Sequence, residues 1–143
     1  MSEKLADLIF MDTETTGLDR ESFEIIEIAL MRLDPQTLEV TGVYHALFLP
    51  VKPPSAEVAA INGYDETKWK AQRALPPCRW VDSMTVELAK MTPLLEGATP
   101  AGQNPSFDMG FLRAAWKTAG VPFPKTDYHQ LDLAALAWPL YVA

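Results

Sequence analysis

The sequence predicts an α/β fold: a mixed sheet of five strands, three antiparallel and then two parallel, flanked by helices. Three strand-like runs stand close together in roughly the first third of the chain with only turns between them, so they pair as an antiparallel meander. Beyond Ser55 the pattern changes to helical periods alternating with short apolar runs, which brings further strands into the same sheet. The composition, 48% hydrophobic and 22% charged over 143 residues, supports one buried core and leaves no room for a second domain.

In chain order, Leu8-Ile9-Phe10-Met11 is an apolar run that ends at Asp12 and then Gly17, a buried strand followed by a turn. Phe23 to Leu33 is rich in apolar and β-branched residues and stops at Asp34-Pro35. Val40 to Leu49 has strand composition and stops at Pro50. Ser55 to Ile61 reads as a short helix capped by Ser55. Lys68 to Arg79, which holds Lys68, Lys70, Arg73 and Arg79 beside Trp69, Pro76 and Pro77, reads as irregular. From Asp82 to Leu95, Met84, Leu88, Met91 and Leu95 recur at three- and four-residue steps, the mark of an amphipathic helix. Pro100 to Asn104 is a short buried strand running into a loop, and Phe107 to Ala119 is a helix stopped by Gly120 and Pro122. Tyr128 to Leu131 reads as a last strand, with a helix opening at Asp132 and ending near Pro139. Ligands of such sheets favour the carboxyl ends of strands, so the chemistry is sought there.

The formal net charge is −7. Nonspecific coating of nucleic acid comes mainly from neutralising phosphates, so an acidic chain is unsuited to it. An enzyme that grips only a chain end through bound cations is still allowed. No run approaches the length of a membrane helix, and the start lacks a basic region followed by an apolar stretch. With Cys78 as the only cysteine, the expected setting is the reducing cytoplasm.

Asp12 and Glu14 lie two residues apart at the end of the first strand. Strand alternation sends both carboxylates to one face. Two anions side by side repel, and one takes up a proton unless a cation neutralises them. Oxygen-only ligands suit Mg²⁺ or Mn²⁺. A solvated strand end, or Asp12 capping a turn, is the other reading that this spacing allows.

The surroundings of the pair add to this. Asp12-Thr13-Glu14-Thr15-Thr16-Gly17-Leu18, directly after an apolar strand, resembles the first motif of the DEDD-superfamily exonucleases, the group that includes proofreading subunits of bacterial replicases. Ile25-Ile26-Glu27-Ile28 resembles their second strand. Gly102-Gln103-Asn104-Pro105-Ser106-Phe107-Asp108, followed by Phe111-Leu112, resembles their second motif. Tyr128 to Ala137 resembles the strand and helix that follow it.

The resemblance implies a ribonuclease-H-like scaffold and a metal-dependent 3′→5′ exonuclease. It would act on the 3′ end of single-stranded DNA or RNA, DNA favoured, and release 5′-mononucleotides. Asp12 would bridge two divalent cations, Mg²⁺ or Mn²⁺, Glu14 would hold one of them, and Asp108 would bind on the opposite side. Ions roughly 3.5–4 Å apart activate a water and stabilise the leaving oxygen. The terminal nucleotide would sit against Thr13, Thr15, Thr16, Gly17 and Leu18. Ile61-Asn62-Gly63-Tyr64 resembles the segment that separates the last two bases, with Asn62 where the family commonly has histidine. Asn104 and Phe107 would shape the pocket. A polymerase or another replication or repair subunit is the implied protein partner. The competing reading of the pocket residues is ordinary packing. For Asp108 it is a carboxylate at a helix N-terminus. For Glu27 it is a polar residue satisfied inside the sheet.

The family's third motif, a histidine followed four residues later by an aspartate on a late helix, has no match. His45 lies on the third predicted strand, and His129 is followed by Asp132 at the wrong spacing. His129 is expected to be a core or surface histidine, and Asp132 a helix cap. The apolar ending Pro139-Leu140-Tyr141-Val142-Ala143 reads as a domain cut short before its last helix, with a naturally short, weakened homologue as the other reading. Two further functions stay open: a catalytically silent nucleic-acid-binding or assembly module, and an endonuclease on the same scaffold. Lys68 to Arg79, with Trp69 and Trp80 for stacking, is a candidate grip on the strand, with a solvated loop as its alternative.

Overall fold

The computed structural model describes residues 5–72 and 78–142. β1 (Leu8–Thr15), β2 (Ile25–Leu33) and β3 (Val40–Leu47) form an antiparallel meander. The helices α1 (Ala56–Asn62), α2 (Glu66–Ala71) and α3 (Trp80–Leu95) follow. Then come β4 (Thr99–Gly102), α4 (Pro105–Ala119), β5 (Leu131–Asp132) and α5 (Leu133–Tyr141). β4 runs parallel to β1 and β5 parallel to β4, giving the order β3-β2-β1-β4-β5. This is the five-stranded mixed sheet, three strands antiparallel and two parallel, that the sequence predicts.

Alternation divides the sheet into two faces. Ile9, Met11, Thr13 and Thr15 of β1 are buried, while Asp12 between them is exposed and Glu14 half-buried. On the buried face, Trp80, Leu88, Met91 and Leu95 of α3 and Met109, Leu112, Ala115 and Trp116 of α4 pack against Ile9, Met11, Ile28 and Leu30. Each such side chain contributes about 1.5–3 kcal/mol on burial. α4 opens with Pro105, whose missing N–H falls where a helix leaves donors unpaired, and closes at Gly120 with φ 70°.

Several boundaries differ from the sequence expectation. β1 carries Asp12 and Glu14 as expected and runs on to Thr15, past the end of the apolar run at Met11. Asp12 pairs with Ala29, Thr13 with Ile28 and Glu14 with Glu27, so the ladder continues through polar residues that an apolar run cannot reveal. β2 begins at Ile25, not Phe23. β3 ends at Leu47, although the Phe48 N–H still donates to the Ile26 carbonyl at 2.8 Å. Ser55 caps α1 as expected, accepting from the Val58 N–H at 3.3 Å. Part of the stretch expected to be irregular is helical: α2 starts at an Asp65 cap that accepts from the Lys68 N–H at 2.8 Å. Arg73, Pro76 and Pro77 lie outside the described residues. β5 sits at Leu131–Asp132, and α5 continues past Pro139 to Tyr141.

The expected stacking surface is overturned. Trp69 is 6% exposed and Trp80 4%. Trp69 Nε1–H donates to the Ile26 carbonyl at 3.0 Å, and Trp80 packs edge-on against Phe48 at 4.8 Å. Both indoles are spent on anchoring their helices to the sheet. Among the described residues no helix is long and apolar enough to cross a membrane.

Candidate active site

The carboxylates meet at the carboxyl end of β1. Asp12 and Glu14 leave the strand on its open face, while Asp108 comes from the first turn of α4. The link is Thr13, which points the other way: its hydroxyl donates to Asp108 Oδ1 at 2.7 Å. Asp108 is 3% exposed. Burial pushes its pKa from the ordinary 3.8 up to about 6; Asp12 adds to the rise, and the Thr13 hydroxyl opposes it. Glu14 is also raised, first by burial and then by Asp12, Glu27 and Asp108. The anionic repulsion expected from the sequence is therefore present, and it spans residues far apart in the chain.

Two glycines allow the approach. A Cβ on Gly102, whose φ is 156°, would lie 2.8 Å from the Met11 carbonyl oxygen, so β4 runs close against β1 just before the turn into α4. That turn holds Asn104 in the left-handed region, φ 52°. The Asn104 N–H donates to Asp132 Oδ1 at 3.2 Å, and the same oxygen accepts from the Ala134 N–H at 3.0 Å. Asp132 is thus the expected cap of α5, and it also clamps the turn that delivers Asp108. The second glycine is Gly17, where a Cβ would be 2.5 Å from the Phe23 ring.

The loop after β1 is fastened from within. The Thr15 hydroxyl donates to the Gly17 carbonyl at 2.6 Å, the Thr16 N–H donates to the Glu24 carbonyl at 2.9 Å, and the Glu24 N–H donates to the Thr16 hydroxyl at 2.9 Å. Asn62 at the end of α1 donates from Nδ2 to the Thr15 carbonyl at 2.9 Å and accepts at Oδ1 from the Tyr64 N–H at 3.0 Å. What this frame presents outward is apolar: Leu18 is 84% exposed and Ile61 87%. Leu18 shares a groove of ≈ 250 Å³ with Asp19, Arg20, Glu21, Phe107 and Phe111, and the Phe107 ring lies 5.1 Å from that of Phe111.

The structure therefore joins Thr13 to Asp108, Thr15 to Asn62 and Leu18 to Phe107. It involves Asn104 through its backbone. One neighbour, Arg20, went unnoticed in the sequence, and the pairing of His45 with Glu27 was not foreseen there. Arg20 lies along α4, where a Cβ on Gly110 would be 2.7 Å from its guanidinium. His45 meets Glu27, Nε2 to Oε1 at 2.7 Å. His129 is a surface residue, bonded through Nδ1 to Asp127 at 2.9 Å.

Among the described residues no three His, Cys, Asp or Glu side chains form a ready-made metal cage. Asp12 raises both Glu14 and Asp108, and Asp108 adds to the rise of Glu14, an anionic crowding that a divalent cation such as Mg²⁺ would relieve. The donor set, all oxygen and all anionic, fits a hard divalent ion.

A family model described as exonuclease, RNase_T, matches residues 9–141. The chain belongs to this DEDD exonuclease family. Residues of this chain are 29% identical over 131 positions to the PolC-type DNA polymerase III of Thermotoga petrophila, covering 90% of this chain and 9% of the polymerase. The corresponding polymerase of Caldanaerobacter subterraneus is 25% identical over 130 residues, covering 90% and 8%. The exonuclease chain thus spans less than a tenth of these relatives. Among solved structures, Escherichia coli exonuclease I in complex with a dT13 oligonucleotide superposes with a TM-score of 0.69 at 18% identity, covering 96% of this chain and 30% of that one. The ribonuclease-H-like fold is shared.

Proposed function

We propose that this chain is a single exonuclease module that hydrolyses phosphodiester bonds from the 3′ end of single-stranded nucleic acid, DNA favoured, releasing 5′-mononucleotides with Mg²⁺ or Mn²⁺. The observation that carries the reading is the closeness of Asp12, Glu14 and Asp108, with Asp12 adding to the raised proton affinity of both Glu14 and Asp108, at a strand end rimmed by exposed Leu18 and Ile61. Two cations bound there would supply a nucleophilic water and the positive charge that the developing phosphorane needs. Asp12 and Glu14 would hold them from the strand, and Asp108 from α4. Thr13 keeps the Asp108 carboxyl oriented. Leu18 and Phe107 would take the terminal nucleoside, while Ile61, on a helix tied to Thr15 through Asn62, would meet the next base.

Relatives support the choice of substrate and partner. Exonuclease I has been solved with dA16 and dT13 oligonucleotides, and the PolC-type relatives are polymerases. A single-stranded DNA end, a polymerase or other replication or repair subunit, and a cytoplasmic setting follow from that reading. The family's late-helix histidine has no match in this sequence; His45 is paired with Glu27 and His129 with Asp127. A positioned base is worth about 10²–10⁴ in rate, so slow turnover is expected.

The test is degradation of a 5′-labelled single-stranded oligonucleotide with Mg²⁺, with Mn²⁺ and with chelator, using Asp12→Ala as control. A metal-dependent ladder shortening from the 3′ end and absent in the variant is the expected result. Cutting of a circular single strand would point to an endonuclease instead. Binding without any cleavage would point to a silent module.

A further inference from the structure

Glu27 is a fourth carboxylate on the metal-facing side of the sheet, and the mechanism above does not use it. It stands directly across from Glu14 in the β1–β2 ladder. Asp12 faces Ala29, and Ala29 faces His45 on β3, so alternation puts Asp12, Glu14, Glu27 and His45 on one face. Opposite residues of an antiparallel pair have Cβ atoms about 4.5–5.5 Å apart, and like charges at such positions destabilise the sheet. Glu27 is close enough to be one of the groups that raise Glu14. As a structural choice this is poor. The ion pair with His45 is too exposed, at 57% for the imidazole, to repay a carboxylate placed against another.

We propose that Glu27, held in place by His45, is a positioning residue for the cations of this face. His45 engages Oε1, and among the described residues nothing donates to Oε2. That oxygen would be free to accept from a water on a cation held by Glu14. Mg²⁺ sheds its waters reluctantly when bound by so few carboxylates, and groups that accept from those waters orient the ligand set. Glu27 thereby enlarges an otherwise sparse donor set without ligating the metal, and His45 fixes where its carboxylate points. The inference rests on the nuclease reading above.

The test is a titration of the full chain with Mn²⁺ alone, free Mn²⁺ being followed by electron paramagnetic resonance, for wild type, Glu27→Gln and His45→Gln. Melting in chelator is recorded alongside. Glu27→Gln keeps the shape of the side chain and removes its charge. It should weaken Mn²⁺ binding by about 10–100-fold with a melting temperature no lower than wild type. His45→Gln should give a smaller loss in the same direction, and because His45 is exposed it carries the test if the first variant fails to fold. Both variants binding Mn²⁺ within twofold of wild type would overturn the positioning role alone. A wild-type chain that binds no Mn²⁺ would overturn the nuclease reading together with it.

Discussion

Asp108→Asn should make the metal-free protein more stable and the metal-loaded protein less so. In the folded chain Asp108 titrates near 6, against an ordinary 3.8. Well below pH 3.8 it is protonated whether folded or not, and its burial is harmless. As pH rises from about 4 through 6, the unfolded chain loses the proton first, so stability falls, and above 6 the whole penalty is present. At about 1.4 kcal/mol per pKa unit the rise corresponds to about 3 kcal/mol, discounted to about 1–3 because solvent reaches this end of the sheet. Asparagine keeps the volume and still accepts from the Thr13 hydroxyl, so it removes the charge and little else. In chelator at pH 7.5 the variant should melt about 3–10 °C above wild type, and at pH 4 most of that difference should be gone. Saturating Mn²⁺ should reverse the order, since a ligand at 100 times its Kd adds about 2.7 kcal/mol only to the chain that binds it. Thermal melts followed by circular dichroism at the two pH values, with and without Mn²⁺, decide the matter. A variant no more stable than wild type at pH 7.5 in chelator, or a gain of equal size at pH 4, would refute the burial argument.

Thr13→Val removes the hydroxyl that holds Asp108 down, so the Asp108 pKa should climb further above 6, and metal-free stability at pH 7.5 should fall by about 1.5–3 kcal/mol. A carboxyl titration by NMR that leaves Asp108 where it was would count against that bond. Asn62→Ala unties α1 from the Thr15 carbonyl and should lose about 1–2 kcal/mol, with the oligonucleotide KM rising more than kcat falls; an unchanged KM would separate α1 from substrate. Leu18→Ala and Ile61→Ala alter exposed side chains, so melting should move by no more than about 0.5 kcal/mol while oligonucleotide affinity, read by fluorescence anisotropy, drops about tenfold. Equal affinities would remove both from the substrate surface.

What the sequence could announce follows from how far each signal reaches. The three meander strands declare themselves locally, through apolar and β-branched runs broken at turns. The pairing of Asp12 with Glu14 is a property of any strand, and it survives although the apolar run ends at Met11, because the backbone ladder continues to Thr15. Asp108 lies 95 residues from the Thr13 that holds it, so only the spacing of a family motif, not periodicity, could bring it to Asp12. Trp69 and Trp80 show the converse. An indole beside lysines and arginines has the same spelling whether it faces solvent or a carbonyl, and here the Ile26 carbonyl decided. Glu27 needed the register: which residue faces Glu14 depends on the β1–β2 connection and on the irregularity between Glu14 and Thr15, neither of which has a sequence signature. The charge density of the site is therefore a tertiary quantity. No stretch of the chain holds more than two of Asp12, Glu14, Glu27 and Asp108, and they repel one another only once β1, β2 and α4 are assembled. A divalent cation that relieved that repulsion would bind the folded chain and not the unfolded one, so metal affinity and folding stability at this site would be two readings of one free energy.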